Sequence, residues 1–389
     1  MANSLKTFTL GELCTMKYGK MPKKEDLVES GYPVFSGYRV VGFHKQFLYE
    51  KPEIIVVARG VGGCGDIKIS PPNCYLTNLS IALQIAKPNE VDKKFLYYRL
   101  SYTTLKGLNT GAAQPQITIA DLQNYRVNLP PLKTQRKIAS ILSAYDDLIG
   151  NNTRRIKIFE EMAQALYREW FVNFCFPGHE HVKMVDSPLG MVPEGWTVVT
   201  LKDIVNNCRE GTTAGEHLSE REYVPIDCLA RKSLALQESN SWTEAQSSLI
   251  LFRKNDILFG AMRSYFHKVT IAPIDGVTRS TCFVLRPKTA EMYSYAVLTA
   301  NREETVAYAS AHSRGATIPY AVWDGSLAEM KVLLPPSSLL KMFDSAIRPM
   351  LTLIRSSFLT QRNLRQTRDL LLPKLISGEV EVAEFIGIV

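Results

Sequence analysis

The sequence predicts a mixed α/β (α+β) chain: two globular units in tandem, each followed by a long helix. Three observations point there. The segment Tyr125–Pro131 recurs 205 residues later as Met330–Pro336, a strand-like run closed by Pro-Pro in both copies. Each copy leads into a long stretch whose apolar residues fall at alternating steps of four and three. Between these stretches lie short β-branched runs punctuated by Gly, Pro and Asn, the pattern of strands and turns.

The composition agrees with folded units. Of 389 residues, 46% are hydrophobic and 22% charged, enough apolar material for real cores and too much for bulk disorder. The longest apolar stretches, such as Ile54–Ala58, fall far short of the roughly 18 residues of a membrane span. Met1–Leu10 lacks the apolar region of a signal peptide, so a soluble cytoplasmic protein with no membrane partner is expected. A formal charge of +8 and a pI near 9.0 fit a nucleic-acid partner and an ordinary basic enzyme equally well. Seven cysteines with no C-x-x-C pair argue for reduced thiols and against a zinc finger or ribbon.

The duplication is clearest at the edges of the units. Thr9–Leu13 is echoed by Thr200–Ile204, Ile54–Gly60 by Asp256–Ala261, and the loop Thr110–Pro115 by Arg314–Pro319. In the first unit, Pro33–Phe35, Ile54–Val57, Ile67–Ile69 and Ser80–Ile85 read as strands and Lys93–Leu105 as a helix. In the second, Ile257–Phe259, Val269–Ile271 and Thr281–Leu285 read as strands, with a helical stretch over Tyr293–Tyr308. The expected division is a first globular domain at 1–131, a first long helix at 132–176 and a linker at 177–195. A second globular domain at 196–336, a second long helix at 337–377 and a tail at 378–389 follow.

The first long helix carries a seam of Ile138, Leu142, Tyr145, Ile149, Asn152, Ile156, Phe159, Ala163, Leu166 and Trp170. At 1.5 Å per residue it spans roughly 60 Å, longer than a domain of this size can cover. The polar seam residue Asn152 sits mid-way, where a buried amide can select one register. The second helix keeps its seam at Phe343, Ile347, Met350, Ile354, Leu364, Leu371 and Leu375; Ser357, Gln361 and Arg368 interrupt its middle, and Pro349 is expected to kink or restart it. Two matched seams of equal length favour one antiparallel coiled coil with pseudo-two-fold symmetry over two helices packed on separate domains.

Catalytic signatures are missing. Gly60-Val61-Gly62-Gly63-Cys64-Gly65 has the glycine spacing of a dinucleotide site, but Asp66–Pro72 reads as another strand, not the helix such a site needs. A glycine-rich hairpin is the better account. No P-loop and no Pro-Pro-Tyr motif of amino-methyltransferases appears, and His179-Glu180-His181 near Cys175 matches no structural zinc spacing. No catalytic residue and no metal ligand is assigned. A binding function is expected, with a nucleotide-dependent enzyme around Gly60–Gly65 as the remote alternative.

Each unit instead sets basic and polar residues on loop-like segments. In the first these are Lys17, Lys20, Lys23 and Lys24, then Ser36, Tyr38 and Arg39, then Arg59, Lys68, Gln114 and Gln116. In the second they are Arg209, Thr212 and Thr213, then Arg231 and Lys232, then Arg263, Tyr265, His267 and Lys268, then Arg279, His312 and Arg314. Arg and Gln make bidentate contacts to guanine and adenine edges, while Lys mostly neutralises phosphate. Two such readers joined by antiparallel helices would approach one face of double-stranded DNA about one helical turn apart, on the order of 34 Å. Because the readers differ in sequence, an asymmetric bipartite site with an unread spacer follows.

Several segments resemble one family. They are Gly111–Ile117, Leu129–Ala139, Leu166–Phe171, Pro193-Glu194-Gly195-Trp196 and Leu372–Val380. Together they are similar to the specificity subunits of type I restriction–modification systems, and they cover both long helices and their junctions. The resemblance implies two target-recognition domains, each reading half of a split DNA sequence, with the helices as a ruler. It implies no catalytic site and no cofactor in this chain. Two modification subunits would bind S-adenosylmethionine and methylate adenine N6, and two restriction subunits would add ATP- and Mg2+-dependent translocation and cleavage. The second copy departs from the pattern, since Arg314–Tyr320 lacks the Gln-Pro-Gln of the first loop. The alternative is a stand-alone sequence-specific DNA-binding or regulatory protein with no methyltransferase partner.

Overall fold

The computed structural model describes residues 5–60, 63–109, 115–246, 248–380 and 382. The chain divides into two units, 1–147 with 365–389 and 148–364. Each unit holds one globular body and a part of both long helices, so the division cuts the helices instead of falling at their ends.

The repeated edge motifs turn out to be partners of one another. In the first unit Lys6–Thr9 pairs antiparallel with Arg126–Leu129; in the second Thr197–Thr200 pairs the same way with Lys331–Leu334. These two-stranded clasps join the beginning of each body to its end. Behind each clasp a one-turn helix starts on a capping box: Glu12 accepts from the Thr9 N–H at 2.7 Å, and Asp203 from the Thr200 N–H at 2.8 Å. The Leu10 N–H donates to Tyr125 and the Leu201 N–H to Met330, both at 2.9 Å.

One sheet is duplicated strand for strand. In the first unit the order is Cys14–Tyr18, Ser80–Ile85, Ile54–Val57, Ile67–Ile69, all antiparallel. In the second it is Val205–Cys208, Cys282–Pro287, Ile257–Gly260, Val269–Ile271. The register repeats: Ile54 faces Leu83 and Ile69, and Ile257 faces Leu285 and Ile271. These central strands read as unbroken apolar runs because both faces are covered. Ile54 and Val56 enter the main core with Phe95 and Leu96, while Ile55 enters a smaller core with Phe35 and Leu76. Ile257 and Phe259 against Leu258 do the same. The second sheet of each body differs: Leu27–Val28, Val40–His44, Tyr32–Phe35, Tyr75–Leu76 in one, and Gly211–Thr212, Leu249–Phe252, Gly276–Thr278, Glu222–Tyr223 in the other.

Helices cover one face of the duplicated sheet. Lys93–Thr103 is capped by Asp92, and the stretch expected over Tyr293–Tyr308 is two helices, Tyr293–Ala300 and Glu303–Ala311. The 177–195 linker holds a β-hairpin, Met184–Ser187 with Gly190–Pro193, that no periodicity announces.

The first long helix is Leu132–Phe171 and the second Ser337–Ser377. They run antiparallel in both units. In the first, Arg368 donates to Asp146 at 2.5 Å, and Asp146 also accepts from the Tyr98 hydroxyl at 2.6 Å. In the second, the Phe171 and Phe343 rings meet at 4.6 Å, while Gln361 Nε2 lies 3.4 Å from Thr153 Oγ1. Gln135, buried in the first turn, accepts from the Asp92 N–H and donates to the Glu90 and Pro130 carbonyls, fastening the helix to its body.

The seams differ from expectation in detail. On the second helix the buried stripe is Phe343, Ile347, Leu351, Ile354, Phe358 and Gln361, with Leu375 buried near its end as expected, so Leu351 replaces Met350 and Phe358 stands beside the polar Ser357. Leu364 and Leu371 are half-buried at its margin. On the first helix Ile138, Leu142, Ile156, Ala163 and Trp170 are buried as expected, whereas Tyr145, Ile149, Asn152, Phe159 and Leu166 are half-buried; Glu160 and Tyr167 are buried beside them. Pro349 neither ends nor restarts the second helix. It lies on the exposed face with Ser345, whose carbonyl loses its helical partner there and is open to water instead of being left in the core.

Candidate nucleic-acid interface

The two bodies build one junction twice. Just past the strand Ile54–Val57 the Ala58 carbonyl accepts the Ile117 N–H at 2.9 Å, and just past Ile257–Gly260 the Ala261 carbonyl accepts the Ala321 N–H at 2.8 Å. Their own N–H groups donate to Leu79 and Thr281, each at 2.8 Å. Beyond that fixed point Arg59 bridges Gln116 in one body and Met262 bridges Tyr320 in the other. Tyr320 therefore stands where Gln116 stands, one residue after Pro319 as Gln116 is one residue after Pro115.

In the first unit the turn Ser36–Arg39 covers this junction. The Ser36 hydroxyl is spent on the Arg39 carbonyl at 3.2 Å, so this mostly buried residue shapes the turn and offers no group to a ligand. Tyr38 lies over the glycine-rich segment, and a Cβ on Gly63 would overlap its ring. Burial, then Asp66 and Cys64, holds the Tyr38 hydroxyl above its usual value, keeping it a donor. The strands on either side form the hairpin expected, with Gly65 donating to Val57 at 2.9 Å and Ile67–Ile69 following as a strand, while Val61 and Gly62 lie outside the described residues. Tyr38, Arg39, Arg59 and Gln116 are thus gathered at one end of the sheet. Tyr18, which the sequence did not single out, joins them by accepting the Ile119 N–H at 3.3 Å. Lys20 is exposed beside Leu76, Lys68 faces Ser101 and Thr104, and Lys23 and Lys24 lie at a separate short turn where Lys23 faces Glu25 at 3.6 Å. Gln114 lies outside the described residues.

In the second unit Arg314 and Tyr320 exchange backbone hydrogen bonds of 2.9 and 2.8 Å, closing a tight loop. The Tyr320 hydroxyl reaches the Ser280 carbonyl, next to Arg279, and the Pro319 carbonyl accepts the Arg263 N–H at 2.7 Å. Arg263 and Arg314 are thereby tied to the loop behind the exposed Tyr265, while the Arg279 side chain hydrogen-bonds the Tyr223 hydroxyl. Arg231 stacks on the Phe266 ring at 3.8 Å. Arg209, paired with Asp324 at 2.6 Å, lines the same groove as Ser280 and Tyr320. Thr212 is engaged with His217 at 3.0 Å, Thr213 is exposed next to it, and His312 stacks on Tyr308. Two expectations give way. His267 is buried, with Nε2 3.0 Å from both Asn301 oxygens, and Lys268 donates to the Ile226 carbonyl at 2.8 Å; both support the loop from beneath.

Among the described residues no three His, Cys, Asp or Glu side chains could hold a metal, and His179 of the His-Glu-His run contacts the Phe176 carbonyl at 2.8 Å. Among them, too, no helix is long and apolar enough to cross a membrane. Burial pushes the Cys14 and Cys282 thiols up to about 12, which leaves them inert.

The family model described as the type I restriction modification DNA specificity domain matches residues 3–160 and again 193–339. The chain belongs to the type I restriction–modification DNA specificity family. Both copies of the specificity domain coincide with the duplicated bodies and run into the long helices. The chain is 25% identical over 357 residues to the type I restriction enzyme MjaIX specificity subunit of Methanocaldococcus jannaschii, covering 87% of this chain and 79% of that one. The MjaVIII specificity subunit of the same organism is 31% identical over 165 residues, 42% of this chain and 37% of that protein. The crystal structure of the type I S subunit from M. genitalium shares the fold at a TM-score of 0.64 and 19% identity, covering 96% of each chain. As a specificity subunit of this family, the chain is the non-catalytic component.

Proposed function

We propose that this specificity subunit reads a bipartite, asymmetric DNA sequence, one half with each body, and that the two long helices set the unread spacer between the halves. One observation carries the reading. The same backbone junction, Ala58 with Ile117 and Ala261 with Ala321, presents Tyr38, Arg59 and Gln116 in one body and Arg263, Arg314 and Tyr320 in the other. A duplicated scaffold with unlike contact residues suits two unlike half-sites.

The subunit works on DNA with methyltransferase and restriction partners. Two modification subunits dock along it, and two restriction subunits complete the nuclease. S-adenosylmethionine, ATP and Mg2+ are held by those partners, because the chemistry of methyl transfer and translocation belongs to them. Methylation of a duplex base requires its extrusion, and the two bodies hold the flanking DNA meanwhile.

The test is to map methylated adenines in DNA exposed to the modification subunits with and without this chain. A split motif that appears only with the chain supports the reading. In the complex, Gln116→Ala and Arg263→Ala should each relax a different half by about 1–3 kcal/mol per lost base contact. Identical methylation with and without the chain would remove the proposal, and specific binding by the chain alone with no effect on methylation would favour a stand-alone DNA-binding protein.

A further inference from the structure

In the second body the chain leaves its buried strand and forms a five-residue knuckle, Arg263–His267. Arg263 and His267 flank a single 3-10 turn, Ser264–Phe266, and both sit in the left-handed region at φ 51°. Neither is glycine, so the backbone is strained at both feet of the turn. The corresponding position in the first body, two residues past Ala58, is Gly60 at φ 130°.

Strain of this kind persists only where the surroundings over-determine it, and here they do. The Arg263 N–H is tied to Pro319 at 2.7 Å. Ser264, 3% exposed, places Oγ 3.2 Å from Ser310 Oγ. His267 is anchored on Asn301, and the Lys232 N–H donates to the His267 carbonyl at 2.7 Å. Phe266 is clamped by the Arg231 guanidinium at 3.8 Å. The residue left at the tip is Tyr265. At 54% exposure it is the most exposed aromatic side chain among the described residues, and its ring is supported edge-on by Phe266 at 4.7 Å.

An aromatic ring on a loose loop would fold back onto the surface. A ring held out from a rigid mount, next to Arg263 and the loop of Arg314, has its ordering cost met before binding and phosphate-neutralising cations close by. From this geometry, and resting on the DNA-reading function proposed above, we infer that Tyr265 is a wedge: its ring enters between two base pairs of the second body's half-site and unstacks that step. Its contribution is distortion of the duplex, sequence-selective because some base steps open more readily than others.

The experiment uses the assembled complex of this chain with its modification subunits and the duplex identified by methylation mapping. 2-Aminopurine replaces one base at a time through the second half-site. A several-fold rise in emission is expected at one step other than the methylated adenine. That rise should persist in Tyr265→Phe, which keeps the ring, and vanish in Tyr265→Ala, while emission from the extruded adenine position remains. Because Tyr265 is solvent-facing, both variants should melt with the wild type. Specific binding with no such step, a rise that survives Tyr265→Ala, or Tyr265→Phe behaving like Tyr265→Ala would overturn the wedge while leaving the DNA-reading function standing. Failure of the wild-type complex to select any sequence would overturn that function, and the wedge with it.

Discussion

Arg286 grips Asp256 with two charge-assisted hydrogen bonds, Nε to Oδ1 at 2.7 Å and Nη2 to Oδ2 at 2.6 Å. Asp256 is 2% exposed and also accepts the Arg253 N–H at 2.7 Å, so the pair bolts the start of one central strand to its neighbour. Arg286→Leu would leave a buried carboxylate without its charge partner, and we expect a loss of about 3 kcal/mol, the low end for such pairs because the arginine is partly exposed and the Arg253 N–H remains. Urea unfolding checks it; a loss under about 1 kcal/mol would mean that the pair behaves like an exposed one.

Glu160 supplies a pH signature. It faces into the second body from the first long helix and accepts from Leu234 N–H at 2.7 Å and Ser233 Oγ at 2.9 Å. Burial raises its pKa above the usual 4.5, against the opposing effect of those hydrogen bonds. A carboxyl whose folded pKa is raised binds a proton more readily when folded, so it favours folding at low pH, and that advantage is lost as pH rises from 4.5 through the folded value. Glu160→Gln keeps an acceptor and cannot ionise. Its stability relative to wild type should therefore be higher at pH 7 than at pH 4, measured by paired urea titrations. An unchanged difference would show that Glu160 titrates as it does in the unfolded chain.

Gly63 should separate recognition from stability. A Cβ there would strike the Tyr38 ring, which can swing away from the sheet end at little cost. Gly63 is buried, but its Cβ meets only the far end of the exposed Tyr38 side chain, so Gly63→Ala should cost under about 1 kcal/mol in thermal unfolding yet relax the first half-site alone. Methylation mapping reads the outcome; equal loss in both halves would contradict independent readers.

Four residues inserted after Asn152 lengthen the first helix by about 6 Å and leave the following face about 40° out of phase. Ile156 and Tyr167 would then no longer meet the Phe343–Ile354 stripe in their present register. We expect a changed spacer in the methylated motif or loss of assembly with the modification subunits. Full activity with the original spacing would sink the ruler.

Much of this fold is written locally. Ile54–Val57 and Ile257–Phe259 are strands because buried β-branched runs bounded by turns have few other uses, and the clasps were visible as repeated motifs before their pairing was known. The helices were legible from periodicity, but the second stripe was not: Met350 and Leu351 lie three and four residues beyond Ile347 on the same side of the helix, and only the surface packed against them decides that Leu351 is the buried one. Gln361 and Arg368 read as interruptions and prove to be partners, of Thr153 and Asp146, because a polar residue's fate depends on what lies across from it.

By itself the sequence determined the duplication, the strand and helix content, and the family to which the motifs belong. Those are properties of composition and of spacing along the chain. Only the tertiary structure decided which basic and aromatic residues stand together. It set Tyr320 at the place of Gln116, sank His267 under the knuckle and left Tyr265 at its tip. The reason is physical: a loop side chain is aimed by hydrogen bonds to residues far away in sequence, such as Arg263 to Pro319 and His267 to Asn301, and no local pattern encodes such a bond.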